Sequence, residues 1–264
     1  MSVVDIPLWN LAAAYLLLLI PMGLFLYLGA HRVRETLVSV VRMTVQLLFV
    51  GLYLHVVFER DHPGITLLWL LVMVMVADAS ILRGCGLRVQ VFALPLFLAI
   101  LLGTLLPALV FTALVLRLDA PFEAQYLIPI GGMILGNCLR ADIIGLRHFS
   151  ETLRNRESLY LLCLAQGATR AEALRPFFRD AVQAALGPTL AGMATIGLVS
   201  LPGMMTGVIL AGADPGTAVR YQIAIMISIF SGTAMTVFLA IHFSIPRAFS
   251  PTGTPHLYDV QSLP

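Results

Sequence analysis

Long apolar runs recur along the chain, covering residues 9–28, 39–58, 65–82, 89–116, 126–146, 189–211 and 221–243. A helix needs about 20 apolar residues to cross the hydrocarbon core of a bilayer. Seven such runs separated by polar segments predict an all-α polytopic helix bundle of about seven spans, organised as a single domain. The fourth run is overlong and carries Pro95 and Pro107, so its helix is predicted to be tilted, kinked or shorter than the run itself. Composition closes the soluble alternative. Charged residues make up 11% of the chain, against about 25% in an ordinary soluble domain.

Arginine placement predicts orientation, because loops on the inner side are enriched in basic residues. With the N-terminus outside, only Arg60, Arg117 and Arg220 fall on the outer side. The C-terminus is then inside, and Trp9, Trp69 and Tyr126 near span ends fit an aromatic belt. Asp5 is the only charge before Trp9, so the positive region of a signal peptide is missing and the first span is expected to be retained. All 16 basic residues are arginine. A phosphate-binding loop needs a lysine, so ATP and Mg²⁺, if the protein depends on them, must be bound by another chain and no cofactor is expected on this one. A net charge of +2 gives no support for a nucleic-acid partner. Cys85, Cys138 and Cys163 lack CxxC spacing and fall in no predicted outer loop, which argues against a disulfide framework. No zinc spacing and no Ser/His arrangement support an enzyme.

One polar segment, residues 147–188, stands apart. It is dense in arginine and has LAQGATRAEALRP at its centre. Gly167 suits the left-handed residue that ends a helix. Thr169 and Glu172 have the spacing of a capping box at the next helix start, and Pro176 is expected to end that helix early. The pattern predicts helix, glycine turn, short helix, then a longer helix returning to the membrane. A plain solvated loop whose arginines hold topology is the alternative.

Two spans are interrupted by Pro and Gly, which in transporters points to a translocation site, because freed backbone groups are tolerated only where buried or lining a cavity. The fifth contains IPIGGMILGN (128–137) and the sixth GLVSLPGMMTG (197–207). Each holds a GxxxG pair, Gly132 with Gly136 and Gly203 with Gly207, a spacing that lets helix backbones approach closely. At 1.5 Å rise per residue Asn137 and Gly203 lie at about the same depth. The Asn137 amide or Ser200 is then expected to meet the Leu198 carbonyl, which Pro202 leaves without a partner. Met133, Met193, Met204 and Met205 offer thioethers for a soft metal ion or simply fill the core. Met204 and Met205 point to different faces and cannot share one ion unless the helix unwinds. Asp78, Arg42 and Gln46 are polar groups at membrane depth, a position that suggests function, yet near enough to the inner boundary for Arg42 to snorkel and Asp78 to pair with it. Arg140 and Asp142, two apart, face apart and read as anchors.

Residues 39–51 (SVVRMTVQLLFVG), 128–137 and above all 197–223 (GLVSLPGMMTGVILAGADPGTAVRYQI) resemble the FetB-type permeases of bacterial ABC transporters, a family that includes plant membrane proteins linked to aluminium tolerance. The resemblance implies a permease of the cell inner membrane that dimerises and works with a separate ATPase subunit, and it associates the family with iron export. It further implies that Gly167, Ala168 and Thr169, with Glu172 and Arg175 behind them, dock into that ATPase. The position six before Gly167 is Leu161, so the acidic residue of the coupling motif of related importers is missing. Gln46, Met133, Gly136, Asn137, Pro202, Gly203, Met204, Met205 and Gly207 are expected to form the pathway or its hinge, and Asp78, Met204 and Met205 are the metal-ligand candidates. A permease for an organic or sugar-nucleotide cargo, or an ATP-independent channel or carrier, are the competing readings.

Overall fold

The computed structural model describes residues 7–29, 32–60 and 62–248, so Asp5, whose lone charge carried the reading of a retained first span, lies outside it. The described chain forms ten α-helices: α1 (Leu8–Leu16), α2 (Leu19–Tyr27), α3 (Val33–Arg60), α4 (Pro63–Cys85), α5 (Val89–Val110), α6 (Ala124–Asn155), α7 (Glu157–Ala165), α8 (Arg170–Thr195), α9 (Gly203–Leu210) and α10 (Pro215–Ala248). Six stretches are long and apolar enough to cross a membrane: Trp9–Tyr27, Val33–Arg60, Pro63–Cys85, Val89–Val115, Ala124–Asn155 and Pro215–Arg247. The stretch predicted as a sixth span is not one of these; it is built from the end of α8, a loop and α9.

Local chemistry explains where elements begin and end. His62 opens α4 by accepting from the Gly64 N–H at 3.1 Å, with Pro63 in the first turn, where its missing N–H costs nothing. Gly86 closes α4 at φ +66°, a conformation a side chain would oppose. The overlong fourth run is one continuous helix that loosens after Pro107 into a π-helical turn, Phe111–Val115, rather than a shorter span.

The core is built by α4, α5, α6, α8 and α10. Leu96, Ala99 and Ile100 of α5 and Val237, Ala240 and Ile241 of α10 are all buried there. The closest approach is between α5 and α10. A Cβ placed on Gly232 would lie 2.7 Å from the Gly103 carbonyl oxygen and 2.7 Å from Ile134 Cγ2, and one on Gly103 would overlap the Thr236 methyl. Pro107 has no N–H to offer the Gly103 carbonyl four residues back, so that oxygen is directed at the Gly232 backbone instead. These two glycines make the close backbone contact that the GxxxG spacing assigned elsewhere. An added Cβ on Gly136, Gly203 or Gly207 meets nothing within 4 Å, and Gly132 approaches only the Met73 side chain.

The first two spans are attached lightly. Tyr15 and Thr44 hydroxyls share a 2.7 Å hydrogen bond between α1 and α3. At the other end of α3, Val57 packs with Ala124 and Ile128, and Tyr53 lies on Trp69 with ring centroids 3.9 Å apart. Arg42 and Gln46 are exposed on α3, whereas Asp78 is buried in α4, so the expected Arg42–Asp78 pairing is not made.

Candidate functional site

The break in the sixth span is a formed structure. α8 closes where the Ile196 N–H reaches the Gly192 carbonyl at 3.0 Å, and Gly197 then turns at φ +86°. The Gly197 N–H donates to the Ser200 carbonyl at 2.9 Å, folding Ile196 and Ser200 into a short bridge. Pro202 stands at φ −64°, ψ 145° as the residue before α9, and its carbonyl accepts from the Thr206 N–H at 3.0 Å. Gly197 supplies the left-handed conformation and Pro202 the missing N–H, so neither end of the loop can continue the helix. The expectation of an orphaned Leu198 carbonyl inside a kinked helix is therefore replaced by a full interruption. The Asn137 amide does not reach it either, because Nδ2 donates at 2.8 Å to the Met133 carbonyl of its own helix.

Two cavities flank this loop and share Ile196, Pro202 and Met226. One, of about 330 Å³, lies between α6 and α8 and is lined by Asn137, Arg140, Thr189 and Ser200 among others. The other, of about 370 Å³, lies against α10 and carries Met193, Met205 and Gln222. Gln222 is 6% exposed and its Oε1 has no hydrogen-bond partner among the described residues. The structure thus brings Asn137 and Pro202 to one cavity, as their depths predict, and Met205 to the other. Met204 turns the opposite way and packs with Met133 against a core cluster that includes Ile134 and Ile225, so the two adjacent methionines do not share a site. Gln46 and Asp78 line neither cavity. Among the described residues no three His, Cys, Asp or Glu side chains come together as a metal cluster.

The glycine turn after α7 forms in full. The Gly167 N–H donates to the Leu164 carbonyl at 3.0 Å and the Ala168 N–H to the Cys163 carbonyl at 3.1 Å, the paired bonds of a helix-closing turn, with Gly167 at φ +90°. The capping box forms too. Thr169 N–H donates to Glu172 Oε2 at 2.8 Å and Glu172 N–H to Thr169 Oγ1 at 3.3 Å. The short helix expected after Thr169 is absent, because α8 runs through both Pro176 and Pro188 to Thr195. Its stripe Ala173, Leu174, Phe177 and Ala181 is buried in the core cluster that holds Leu146, Phe149 and Leu153 of α6, and this packing outweighs one lost hydrogen bond on the exposed Pro176 side. Arg175 is exposed beside it.

Those hydrogen bonds from Thr169 hold the Glu172 carboxyl below its ordinary pKa. A group depressed in the folded state adds stability above its unfolded pKa and loses it as pH falls through the folded value. Glu172→Gln is expected to melt below the parent at neutral pH. The gap should close as the pH drops past the ordinary glutamate value of about 4.3 and through the lowered one, in thermal unfolding of detergent-solubilised protein.

Comparison with known proteins places the chain. Residues 8–249 match the Uncharacterised protein family (UPF0014). The chain belongs to the UPF0014 family. Among UPF0014-related proteins, the probable iron export permease protein FetB of Escherichia coli K12 is 33% identical over 222 residues, covering 82% of each chain. The UPF0014 membrane protein YjkA of Bacillus subtilis is 31% identical over 82% of this chain and 85% of its own, and the ALUMINUM SENSITIVE 3 protein of Arabidopsis thaliana 31% over 82% and 78%. No solved structure matches the chain. It is a multi-pass membrane protein of this UPF0014 family, as its apolar helices require.

Three residues lining these cavities carried little sequence signal. Gln222 and Met226 lie one helical turn apart and so share a face of α10, a lone amide early in an apolar span being the one cue. Arg140, read as an anchor, instead lines the first cavity beside Asn137.

Proposed function

We propose that the chain is the membrane-spanning permease subunit of an ABC transporter in the cell inner membrane, exporting a metal ion, with iron as the cargo. ATP and Mg²⁺ bind on a separate ATPase subunit, and two copies of this permease enclose the pathway. The N-terminus lies outside and the α7–α8 turn inside, where it docks on the ATPase. The observation that carries this reading is the interrupted span between two cavities, joined through the continuous α8 to a capped turn 28 residues before Thr195. Broken membrane helices at cavities are the backbone arrangement that transporters use for their cargo sites. The name of the E. coli relative supplies the cargo.

A second reading has its own support. Cavities of about 330 and 370 Å³ fall within the range of small-molecule sites, about 300–1,000 Å³, and hard cations require several oxygen ligands that are not assembled at the break. Under it the same permease carries an organic cargo.

Cells lacking the gene are expected to accumulate iron, with manganese, copper and zinc measured alongside. Restoring the parent gene should reverse this, and Asn137→Leu should not, although it reaches the membrane at the parent level. Unchanged metal content would move the assignment to an organic cargo. Export sustained without any ATPase would instead indicate a channel or carrier.

A further inference from the structure

The three helices α5, α6 and α10 enclose a polar cluster unrelated to the two cavities. Asp142 on α6 is 1% exposed, and neither of its carboxyl oxygens has a hydrogen-bond partner among the described residues. Beside it stand Thr236 of α10 and Cys138 one turn earlier on α6, and around Cys138 lie Thr104 of α5 and Thr233 of α10, all buried. The Thr236 hydroxyl, which faces Asp142, donates to the Thr233 carbonyl at 3.1 Å. Cys138 Sγ lies 4.0 Å from Thr233 Oγ1, and Thr104 Oγ1 has no partner.

A carboxylate in such surroundings needs a basic partner, a bound cation or a proton, since an unpaired buried charge is far costlier than a buried neutral group. Among the described residues no basic side chain reaches its carboxyl. Arg147, five residues along α6, donates to the Gly84 carbonyl at the end of α4, and Arg140 faces the opposite side in the α6–α8 cavity. The ionisable groups of α4 on this side are Cys85, which feels both Arg147 and Asp142, and the acid Asp78, buried with its own Oδ1 unpartnered. α5 and α10 present only the three threonines, and α8 packs Ala181 and Ala185 against Gly145 with Arg179 exposed. A cation fits no better. It would want six or more oxygen ligands, including charged ones, and the helices here pack so closely that even a methyl added to Gly232 would lie 2.7 Å from the Gly103 carbonyl oxygen.

A proton needs no volume and turns one carboxyl oxygen into a donor facing the Thr236 hydroxyl. We propose that Asp142 is a proton-binding site: in the packed bundle it is a neutral carboxylic acid. Separating α10 from α5 admits water to the cluster, the O–H bond of the carboxyl breaks, the proton passes to water and the carboxylate remains hydrated. Movement of α10 relative to α5 is then linked to the release of one proton.

Infrared difference spectroscopy of the purified permease tests this. At neutral pH the parent should show a protonated-carboxyl C=O band that Asp142→Asn lacks and that Thr236→Val shifts in frequency. Melting should be the same in sodium and choline buffers. Identical spectra for the parent and Asp142→Asn would overturn the proposal. So would a sodium-dependent melting point in the parent, which would assign a cation. Where Asp142→Asn fails to fold, the Thr236→Val shift decides, and an unmoved band overturns the assignment.

Discussion

Gly167→Pro is expected to abolish transport while the protein still reaches the membrane at its normal level. Gly167 sits at φ +90° and its N–H closes α7 on the Leu164 carbonyl at 3.0 Å. Proline fixes φ near −65° and has no N–H, so both the conformation and the bond are lost together. The neighbouring Ala168 bond to Cys163 and the direction in which Thr169 starts α8 depend on the same turn. Gly167→Ala keeps the N–H and pays only the left-handed strain of about 1–2 kcal/mol, so it should transport at a reduced rate. The apolar spans are untouched, which is why insertion survives. Cargo export, membrane-fraction level and copurification with the ATPase measured side by side decide it. Normal ATPase-driven export by Gly167→Pro would remove the turn from the proposed mechanism.

The largest effect on stability is expected at Gly232→Ala. The added methyl would meet the Gly103 carbonyl oxygen at 2.7 Å, and that obstacle is backbone, which cannot rotate away as a side-chain tip would. Ile134 Cγ2 blocks the other direction at the same distance. The two helices must move apart along a seam that also buries Thr104, Thr233 and Thr236, so the cost should reach or exceed the roughly 1–3 kcal/mol typical of overpacking. Gly51→Ala in α3 is the control. Nothing lies within 4 Å of its added Cβ, and alanine is favoured in a helix by about 0.8–1.0 kcal/mol. Thermal unfolding in detergent should therefore separate the two alanine variants in opposite directions from the parent. Equal melting points would show that α5 and α10 are less tightly engaged than their glycines indicate.

Much of the fold was legible because its signals are local. Span length, the glycine turn at Gly167 and the Thr169–Glu172 capping box each depend on residues close in sequence, and each appears in the structure. Asn137 and Pro202 were paired by depth alone, which worked because helical rise is regular. What failed depended on tertiary context. Pro176 reads as a stop, and only the packing of Leu174 and Phe177 on α6 carries α8 past it. Within the chain the GxxxG motifs did not mark the close backbone contact, because spacing says which backbones can approach, not which helix arrives. Gly103 and Gly232, 129 positions apart, have no common pattern, and their pairing becomes visible only when α5 and α10 meet. Asp142 was similarly underread, since nothing in its neighbours along α6 announces that it is buried, with Thr236 of α10 facing it.

The interruption at residues 196–202 also divides the molecule kinematically. α8 is a single rod of 26 residues, about 39 Å at 1.5 Å per residue, rooted in the Thr169 cap at one end. α9 is a separate short rod that packs Met204 with α10 residues such as Ile225. A continuous helix would force both to tilt as one body, so any displacement at the turn would sweep across the full thickness of the membrane. With a loop between them, α8 can pivot while α9 keeps its place on α10. Both cavities are lined by α8 residues and by Pro202 of the loop, so a tilt of α8 would reshape the two together.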